Sequence, residues 1–430
     1  MVSEIYSRIG LPASFIKISL DFTKIYLYIV TMLINKAYNF RLYPSNKQIE
    51  LLAQHFGSCR FVYNYFLRKR IDFYAENKGK DKQGLTYYDT AIMLTKLKRQ
   101  PEYIWLNGVN SQSLQQSLRR LDVAYNNFFN KRADFPNFKK KHNKQSFLVP
   151  QKFNIDFKGR LLHIPKFEPI KIVLYRKVEG IIKSINISKT PSGKYFASVF
   201  CEIEKTVKPK KKGNQIGIDL GLKSFLVASN GERVDAPKYL HKSEDKLIRL
   251  QRLLSRKVKG SNRRNKARIK VACIYDKISN QRKDFLHKLS HRLVSENQAI
   301  FAEDLYVKGM MTNHHLAKGI SDSGWSEFVR QLEYKSEWNG VYFRQIDRFF
   351  PSSKRCFSCG WINEALTLKD REWVCQCGQI VDRDYNAAQN ILLFGQRMVG
   401  KELAEPKRSG RGGVVMSLVE LRSPIQSLIG

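Results

Sequence analysis

Residues 214–234 read NQIGIDLGLKSFLVASNGERV, and this stretch decides how the rest of the chain is interpreted. An apolar run leads into Asp219, a second apolar run follows from 224 to 229, and an Asn-Gly pair comes directly after it. The pattern predicts two buried strands joined by turns. Asp219 is then either a turn residue before Gly221 or a functional carboxylate at a sheet edge.

Two further carboxylates stand in comparable settings. Glu303 lies at the end of the apolar run AIFAEDL (299–305), and Asp384 lies where a loop enters a helix in DRDYNAAQNIL (382–392). Taken singly, Glu303 could pair with a cation and Asp384 could cap the helix. Neighbouring strands bring such residues to one edge, where carboxylates repel one another unless divalent cations fill the site. Because Mg²⁺ prefers oxygen ligands and two such ions support phosphodiester hydrolysis, the three acids are the predicted catalytic residues and Mg²⁺ ligands.

Four of the seven cysteines form a second cluster with metal-ligand spacing. They are Cys356, Cys359, Cys375 and Cys377. Two thiolate pairs on facing turns suit a tetrahedral, structural Zn²⁺ ion, and Gly360 and Gly378 follow the pairs where such turns need backbone freedom. The alternative is four reduced thiols without a metal. The second pair has one intervening residue where C-x-x-C is usual, which puts the geometry of the predicted site in doubt.

The charge of the chain points to a polyanionic partner. Of 430 residues, 76 are Lys or Arg and 38 are Asp or Glu, which gives a formal charge of +38. Nucleic acid is the expected partner, although a ribosome-associated or merely basic soluble protein has the same balance. A hydrophobic content of 43% argues against a chain that is disordered throughout. With no signal-peptide pattern, the cysteines indicate a reducing cytoplasm rather than a disulfide framework.

Several arginines are the predicted nucleic-acid contacts. One helix is predicted after Ser45 and a second over 59–77, where cations alternate with aromatic residues that can stack on bases. A basic helical hairpin is predicted over 242–298, with a break near Gly260-Ser261. The contacts are Arg60, Arg68, Arg249, Arg252, Arg256, Arg263 and Arg264. An ordinary amphipathic helix with a solvated basic face explains the 59–77 segment equally well.

Two further segments have distinct patterns of apolar, charged and turn-forming residues: the first residues of the chain, and residues 146–204. Residues 15–34 are apolar but interrupted by charges, and the longest uncharged run is too short to span a bilayer, so no membrane partner is expected. A signal anchor is the alternative.

Over 146–204, short apolar runs alternate with turn residues such as Pro191-Ser192-Gly193, which predicts a small antiparallel barrel or sandwich.

These motifs together resemble a known family. The stretches that carry the resemblance are NFRLYPSNKQIELL, FGSCRFVYNYFL, VNSQSLQQSLRRLDVAYNNFF, FPNFKKK, GIDLGLKSF, IFAEDL, LAKGISDSGWSEF, CFSCGW with CQCG, and DRDYNAAQNIL. In this order they resemble the TnpB (OrfB) proteins of bacterial and archaeal insertion sequences and look similar to the smaller type V CRISPR effectors. The resemblance covers roughly residues 33–398. The cysteine motif followed directly by D-R-D-x-N-A-A is its most specific feature.

The resemblance implies a multidomain α/β fold with an RNase H-like, RuvC-type nuclease core, a zinc ribbon, and an N-terminal β-barrel (wedge) domain carrying a helical recognition insert. Met32 begins the stretch MLINKAYNFRLYPSNKQ, which looks like a natural protein start, so residues 1–31 are predicted to be an extension of little functional weight. The implied division of the rest is 32–44 first wedge segment, 45–145 helical recognition domain, 146–207 second wedge segment, 208–350 RuvC with the basic hairpin, 351–380 zinc ribbon, 381–400 RuvC C-terminal motif, and 401–430 tail.

The resemblance also implies an activity and its partners. The chain would bind a guide RNA from the transposon end and cut double-stranded DNA beside a short flanking motif, as a monomer, with two Mg²⁺ ions and one structural Zn²⁺. Its metal-binding acids correspond to Asp219, Glu303 and Asp384. The alternatives are an RNA-guided DNA-binding regulator without cleavage and a DNA strand-transfer transposase, although no separate helix-turn-helix is recognisable in the sequence.

Overall fold

A computed structural model describes residues 30–79, 84–142, 144–208, 210, 214–367 and 369–404. The predicted N-terminal extension, apart from residues 30 and 31, and most of the predicted tail lie outside these residues. The described chain divides into an N-terminal unit, Leu33–Glu204 with Leu254–Cys273, and a C-terminal unit formed by the other described residues. Within the described ranges, no helix has the length and apolar character needed to cross a membrane.

Strands and helices occur mostly in consecutive groups along the chain. The strands are β1 (Val30–Tyr43), β2 (Gln145–Val149), β3 (Asn154–Asp156), β4 (Leu161–His163), β5 (Ile170–Val173), β6 (Ile181–Lys189), β7 (Tyr195–Val207), β8 (Asn214–Leu220), β9 (Ser224–Ala228), β10 (Arg233–Asp235), β11 (Asn297–Glu303), β12 (Tyr342–Ile346), β13 (Glu372–Val374) and β14 (Ile380–Asp382). The helices are α1 (Asn46–Glu76), α2 (Tyr87–Leu97), α3 (Ser111–Phe129), α4 (Tyr239–Lys242), α5 (Glu244–Ser255), α6 (Asn262–Glu296), α7 (Val307–Met310), α8 (His314–Ser323), α9 (Trp325–Asn339) and α10 (Arg383–Ala404), with a 3₁₀ helix at Pro101–Gly108.

The N-terminal unit combines helices α1 to α3 with a seven-stranded sheet of order β2-β6-β7-β1-β5-β4-β3. The helices and the sheet share one hydrophobic core, in which Phe66 of α1 and Leu118 of α3 belong to the same cluster as Ile185 of β6. In the hydrogen-bonded order of the described strands, β2 and β3 are the two edges. Gly193 closes the turn between β6 and β7 with a left-handed backbone, at the position where the sequence predicts a turn.

The prediction of two separate helices after Ser45 is wrong, because α1 continues without a break for 31 residues. Ser45 begins it with a capping box, in which the Ser45 hydroxyl accepts from Gln48 N at 3.4 Å and Gln48 Oε1 accepts from Ser45 N at 2.9 Å. Gly57, between the two predicted helices, stays helical because the residues on both sides of it are buried in the core. Local helix propensity therefore yields to packing at this glycine.

The C-terminal unit is organised around a five-stranded mixed sheet of order β10-β9-β8-β11-β12. Strands β8, β11 and β12 run parallel, whereas β9 pairs antiparallel with β8, and β10 pairs antiparallel with β9. The helix α10 packs on one face of this sheet, where Gly217 of β8 meets the helix backbone. A Cβ atom at Gly217 would lie 2.3 Å from Ala388 O and 2.6 Å from Leu392 N. Only glycine allows so close an approach between strand and helix.

We expect Gly217→Ala to destabilise the C-terminal unit by about 3 kcal/mol, because the added methyl group meets backbone atoms that cannot move aside. Gly57→Ala is the matched control, since no atom lies within 4 Å of its built Cβ. That control should raise the free energy of unfolding by about 0.5–1 kcal/mol through better helix propensity. Denaturant unfolding of wild type and both variants measures the change in the free energy of unfolding. A Gly217→Ala protein as stable as wild type would contradict the inferred approach of strand and helix.

Candidate active site and metal centre

Asp219 and Glu303 lie side by side on adjacent parallel strands. Ile218 pairs with Ala302 in the register of β8 and β11, and each acid is the next residue on its strand. Side chains alternate along a strand, so Asp219 points to the same face as Gly217, two residues before it. That face is covered by α10. The two carboxylates therefore project beneath the helix that begins with Arg383 and Asp384.

Asp384 completes the acidic group from the first turn of α10. Its carboxylate and that of Glu303 are both close enough to raise the pKa of Asp219. The nearby Asp382 has a different role, because its Oδ1 accepts a hydrogen bond from Tyr385 N at 2.8 Å and pairs with Arg233 at 2.8 Å. The cap at the start of the helix is thus Asp382, whereas the Asp384 carboxylate lies 3.6 Å from the Arg371 guanidinium and near enough to Asp219 to raise its pKa.

The electrostatics of the group favour a cation. Burial first, and then the negative charges of Glu303 and Asp384, raise the pKa of Asp219 to about 8, and the Arg383 guanidinium opposes them. Burial and the charge of Asp304 likewise raise the pKa of Glu303, again against Arg383. Ionising these carboxyl groups together is therefore unfavourable unless a positive charge binds among them. An oxygen-ligated divalent cation is the chemical partner that such a donor set fits.

The four cysteines converge more tightly than the acids. Among the described residues, theirs is the one group of three or more potential ligands whose atoms all lie within 4.8 Å of one another. The sulfurs of Cys356 and Cys377 are 4.0 Å apart, and those of Cys359 and Cys375 are 3.4 Å apart. A Zn–S bond of ~2.3 Å places tetrahedral sulfurs roughly 3.8 Å apart, so the set fits a zinc ion.

The short C-x-C pair is accommodated by a shorter turn. In the first turn, Cys356 N donates to Trp361 O at 2.8 Å, and in the second Cys375 N donates to Gln379 O at 2.9 Å, one residue earlier. Each turn closes on a glycine with a left-handed backbone, φ 82° at Gly360 and 85° at Gly378. The second turn connects β13 to β14. The tighter turn of the β13–β14 hairpin therefore accommodates the one-residue spacing, and both sulfurs of the pair stay within the cluster.

Two asparagines of α10 attach the first cysteine turn to the helix that carries Asp384. The fully buried Asn386 donates from Nδ2 to Arg355 O at 2.7 Å and accepts at Oδ1 from Phe357 N at 2.9 Å. Asn390, one turn later, donates to Ser352 O at 2.8 Å. The sequence prediction missed both residues. The sequence feature that could have identified them is the repeat of asparagine four residues apart, which places both amide side chains on one helix face, next to the apolar pair Ala387-Ala388.

Asn386→Ala should open the first cysteine turn, because it leaves buried carbonyl and N–H groups without partners at a cost of about 3 kcal/mol. Hydrogen exchange of peptides that cover residues 352–360 should then become roughly 100-fold faster, since each 1.4 kcal/mol is a factor of ten. The exposed Asn265, changed to Ala, is the control and should leave this exchange unchanged. Unaltered exchange in Asn386→Ala would show that the hydrogen bonds do not hold the turn.

The predicted nucleic-acid contacts differ in how far they are exposed. The exposed ones are Arg68, Arg249, Arg252, Arg256 and Arg263. Arg60 and Arg264 are half-buried. Arg60 donates to Gln145 Oε1 at 2.8 Å, and Arg264 donates to Leu254 O and Lys257 O, which closes the loop between α5 and α6. Arg60 and Arg264 therefore have structural roles, and for all seven the contact with nucleic acid stays a prediction.

Comparisons with known sequences cover most of the chain. A family model described as OrfB_IS605, "Probable transposase", matches residues 198–314. A model described as Cas12f1-like, TNB domain, matches 325–391, which includes the cysteine turns. A third, described as the helix-turn-helix domain of OrfB_IS605, matches 32–79, where the structure has β1 and the uninterrupted α1.

Two curated relatives match this chain over nearly their whole length. A Streptomyces pristinaespiralis protein named "Putative RNA-guided DNA endonuclease" is 38% identical over 390 residues, covering 89% of this chain and 96% of the relative. InsQ of Escherichia coli K12, which bears the same description, is 32% identical over 392 residues, 87% of this chain and 96% of its own length. A Cas12f1 chain, solved by cryo-EM with sgRNA and target DNA, is 14% identical, with a TM-score of 0.44 over 84% of this chain and 98% of its own. On the long sequence matches, the chain belongs to the OrfB (TnpB) family of insertion-sequence proteins.

Proposed function

We propose that this chain is an RNA-guided DNA endonuclease whose catalytic residues are Asp219, Glu303 and Asp384. The observation that carries the proposal is the convergence of these acids beneath the start of α10, with the pKa of Asp219 raised by burial and by its two acidic neighbours. The mixed sheet, with three parallel strands at one side, supports an RNase H-like, RuvC-type core. The names of the relatives support guidance by RNA and DNA as the substrate.

The chemistry is hydrolysis of a phosphodiester. Two Mg²⁺ ions held by the three carboxylates would supply an activated water and charge stabilisation for the leaving oxygen. Asp219 and Glu303 are fixed on strands, so they hold their oxygens in one place while the substrate enters. The water oxygen forms the new bond to phosphorus, the bond to one bridging oxygen breaks, and the proton of the water leaves to solvent as the bridging oxygen takes one up. The carboxylates remain unchanged at the end of the cycle.

The remaining assignments of the proposal follow the family division of the chain. The N-terminal unit would supply the wedge and recognition domains, residues 32–207, and the cysteine turns a zinc ribbon over 351–380. We propose one structural Zn²⁺ there, a guide RNA from the transposon end, a double-stranded DNA target beside a short flanking motif, and a monomeric protein. Base pairing with the guide would then select the sequence, and the protein's charge of +38 would hold both backbones.

Co-expression with the native flanking DNA tests this function. The protein is purified, any RNA that accompanies it is sequenced, and a DNA matched to that RNA is incubated with Mg²⁺. A discrete RNA and cutting of the matched DNA alone are the expected results. The same RNA with target binding but no cutting would indicate an RNA-guided regulator. Protein without RNA that binds one specific DNA would indicate a strand-transfer enzyme and overturn the proposal.

A further inference from the structure

An exposed cluster of aromatic rings lies at the C-terminal end of α3. We call Tyr125, Phe128, Phe129 and Phe135 the ring cluster. Phe129 is 70% exposed and Phe135 43% exposed, although both are large apolar side chains. The rings contact one another with centroid separations of 5.3–6.1 Å. Grouped rings that remain open to solvent indicate a binding surface rather than a scattered apolar residue.

The backbone holds these rings in place. After α3 the chain turns back, because Arg132 N donates to Asn127 O at 2.8 Å and Lys131 adopts a left-handed backbone, φ 56°. This return brings Phe135 edge-on to Tyr125 and to Phe128, at interplanar angles of 86° and 85°. On the inner side, the Arg70 guanidinium lies 5.1 Å from the centroid of Tyr125 and is paired with Asp122. The cluster is thus supported from behind, and its outer rings are left open.

Charge around the ring cluster selects among possible occupants. Between 123 and 144 the chain has six cations and one acid. The exposed cations are Lys131, Arg132, Lys140, Lys141 and Lys144, whereas the sixth, Lys139, lies 3.6 Å from the centroid of the Tyr63 ring; the acid is Asp134. A second copy of the chain would bring the same cations against themselves, and like charges disfavour that contact. A flat apolar group attached to a polyanion can stack on the rings while its negative charges pair with the cations.

We propose that the ring cluster binds unpaired bases of a single-stranded polynucleotide, which stack on Phe129 and Phe135 while the neighbouring cations pair with the phosphates. The inference rests on the proposed function only in taking nucleic acid as the partner. It adds a site outside the acidic group, and this site includes Phe135 of the FPNFKKK stretch. RNA and DNA strands share this chemistry, and the experiment separates them.

The test compares rings with apolar side chains that lack a π face. Phe129→Leu/Phe135→Leu keeps the cluster apolar, Phe129→Trp keeps a ring, and Tyr88→Leu applies the same change to a ring that is 76% exposed on α2. Fluorescence anisotropy at one fixed salt concentration measures binding of a short single-stranded RNA, its DNA counterpart, and a strand of abasic nucleotides. We expect the double Leu variant to lose about tenfold in affinity for each stacked base on the base-containing strand.

The same variant should bind the abasic strand like wild type, and Phe129→Trp should bind both strands like wild type. Equal weakening on the abasic strand, no weakening at all, or an equal loss in Tyr88→Leu would each overturn the proposal. The strand with the larger loss, RNA or DNA, identifies the occupant. Circular dichroism and thermal unfolding check that the exposed substitutions leave the fold intact. Binding is measured without cleavage, so failure here is distinct from failure of guided cutting.

Discussion

Asp219→Asn will abolish Mg²⁺-dependent cutting of guide-matched DNA, by about three orders of magnitude or more, and leave the bound RNA in place. The substitution removes one charge from the acidic group and almost no volume, so the sheet beneath α10 should keep its packing. Glu303→Gln and Asp384→Asn should have effects of the same order, because all three carboxylates face one site. Single-turnover cleavage of a labelled target, with RNA content measured in parallel, provides the readout.

Asp382→Asn is the sharpest control, since it lies two residues from Asp384 in the same motif. Asp382 caps α10 and pairs with Arg233, so its loss should cost about 1 kcal/mol of stability and little activity. Asp304→Asn, next to Glu303, removes a carboxylate that pairs with Arg348 at 2.7 Å and should likewise spare cutting. Loss of cutting in Asp382→Asn equal to that in Asp384→Asn would show that the two acids have been assigned the wrong roles.

The purified protein will contain one zinc ion per chain, and Cys375→Ser will release it. The four sulfurs are within reach of one tetrahedral ion, and a structural zinc site contributes folding free energy directly. The small core of the ribbon, in which Trp373 packs on Val381, should then unfold, with the tryptophan emission shifted towards that of solvent-exposed indole. Metal content by mass spectrometry and fluorescence of the same sample measure both effects.

Cys273→Ser serves as the matched control for the zinc experiment. Its thiol is exposed and lies outside the cluster, so the change should alter neither metal content nor emission. Zinc retained in Cys375→Ser would mean that three sulfurs suffice or that the ion binds elsewhere. A wild-type protein without zinc, folded to the same extent, would remove the ion from the proposal and leave the four thiols as a packed cluster.

The sequence predicts those residues of the candidate site whose residue type and local spacing are informative by themselves. Asp219 and Glu303 end apolar runs, and the cysteines have their own spacing, so each was visible in a short window of sequence. The residues that support them were not visible in this way. Arg383 acts on Asp219 and Glu303 only once the sheet and α10 are together, and Asn386 matters only because the Arg355 carbonyl lies opposite it.

The fold likewise has features that neighbouring residues determine and features that depend on contacts between residues far apart in the chain. The turn at Gly193 and the cap at Ser45 are set by neighbouring residues and were predictable from them. The continuity of α1 through Gly57 depends on burial against strands more than 80 residues away in the chain, such as β2 at Gln145–Val149. The structural roles of Arg60 and Arg264 depend likewise on partners that only the folded chain brings near. Charge patterns alone could not separate those two from the exposed arginines.

The position of Asp384 so late in the chain has a consequence for synthesis of the protein. The ring cluster and strands β1 to β7 all precede residue 208, whereas Asp219 and Asp384 are 384 − 219 = 165 residues apart. At ~5–20 residues per second, a ribosome needs roughly 8–30 s to pass from the first acid to the last. A nascent chain therefore contains its N-terminal strands and ring cluster well before Asp384, the last acid of the proposed site, has been added. A message truncated between codons 208 and 384 yields a product that keeps the N-terminal strands and the ring cluster and lacks Asp384.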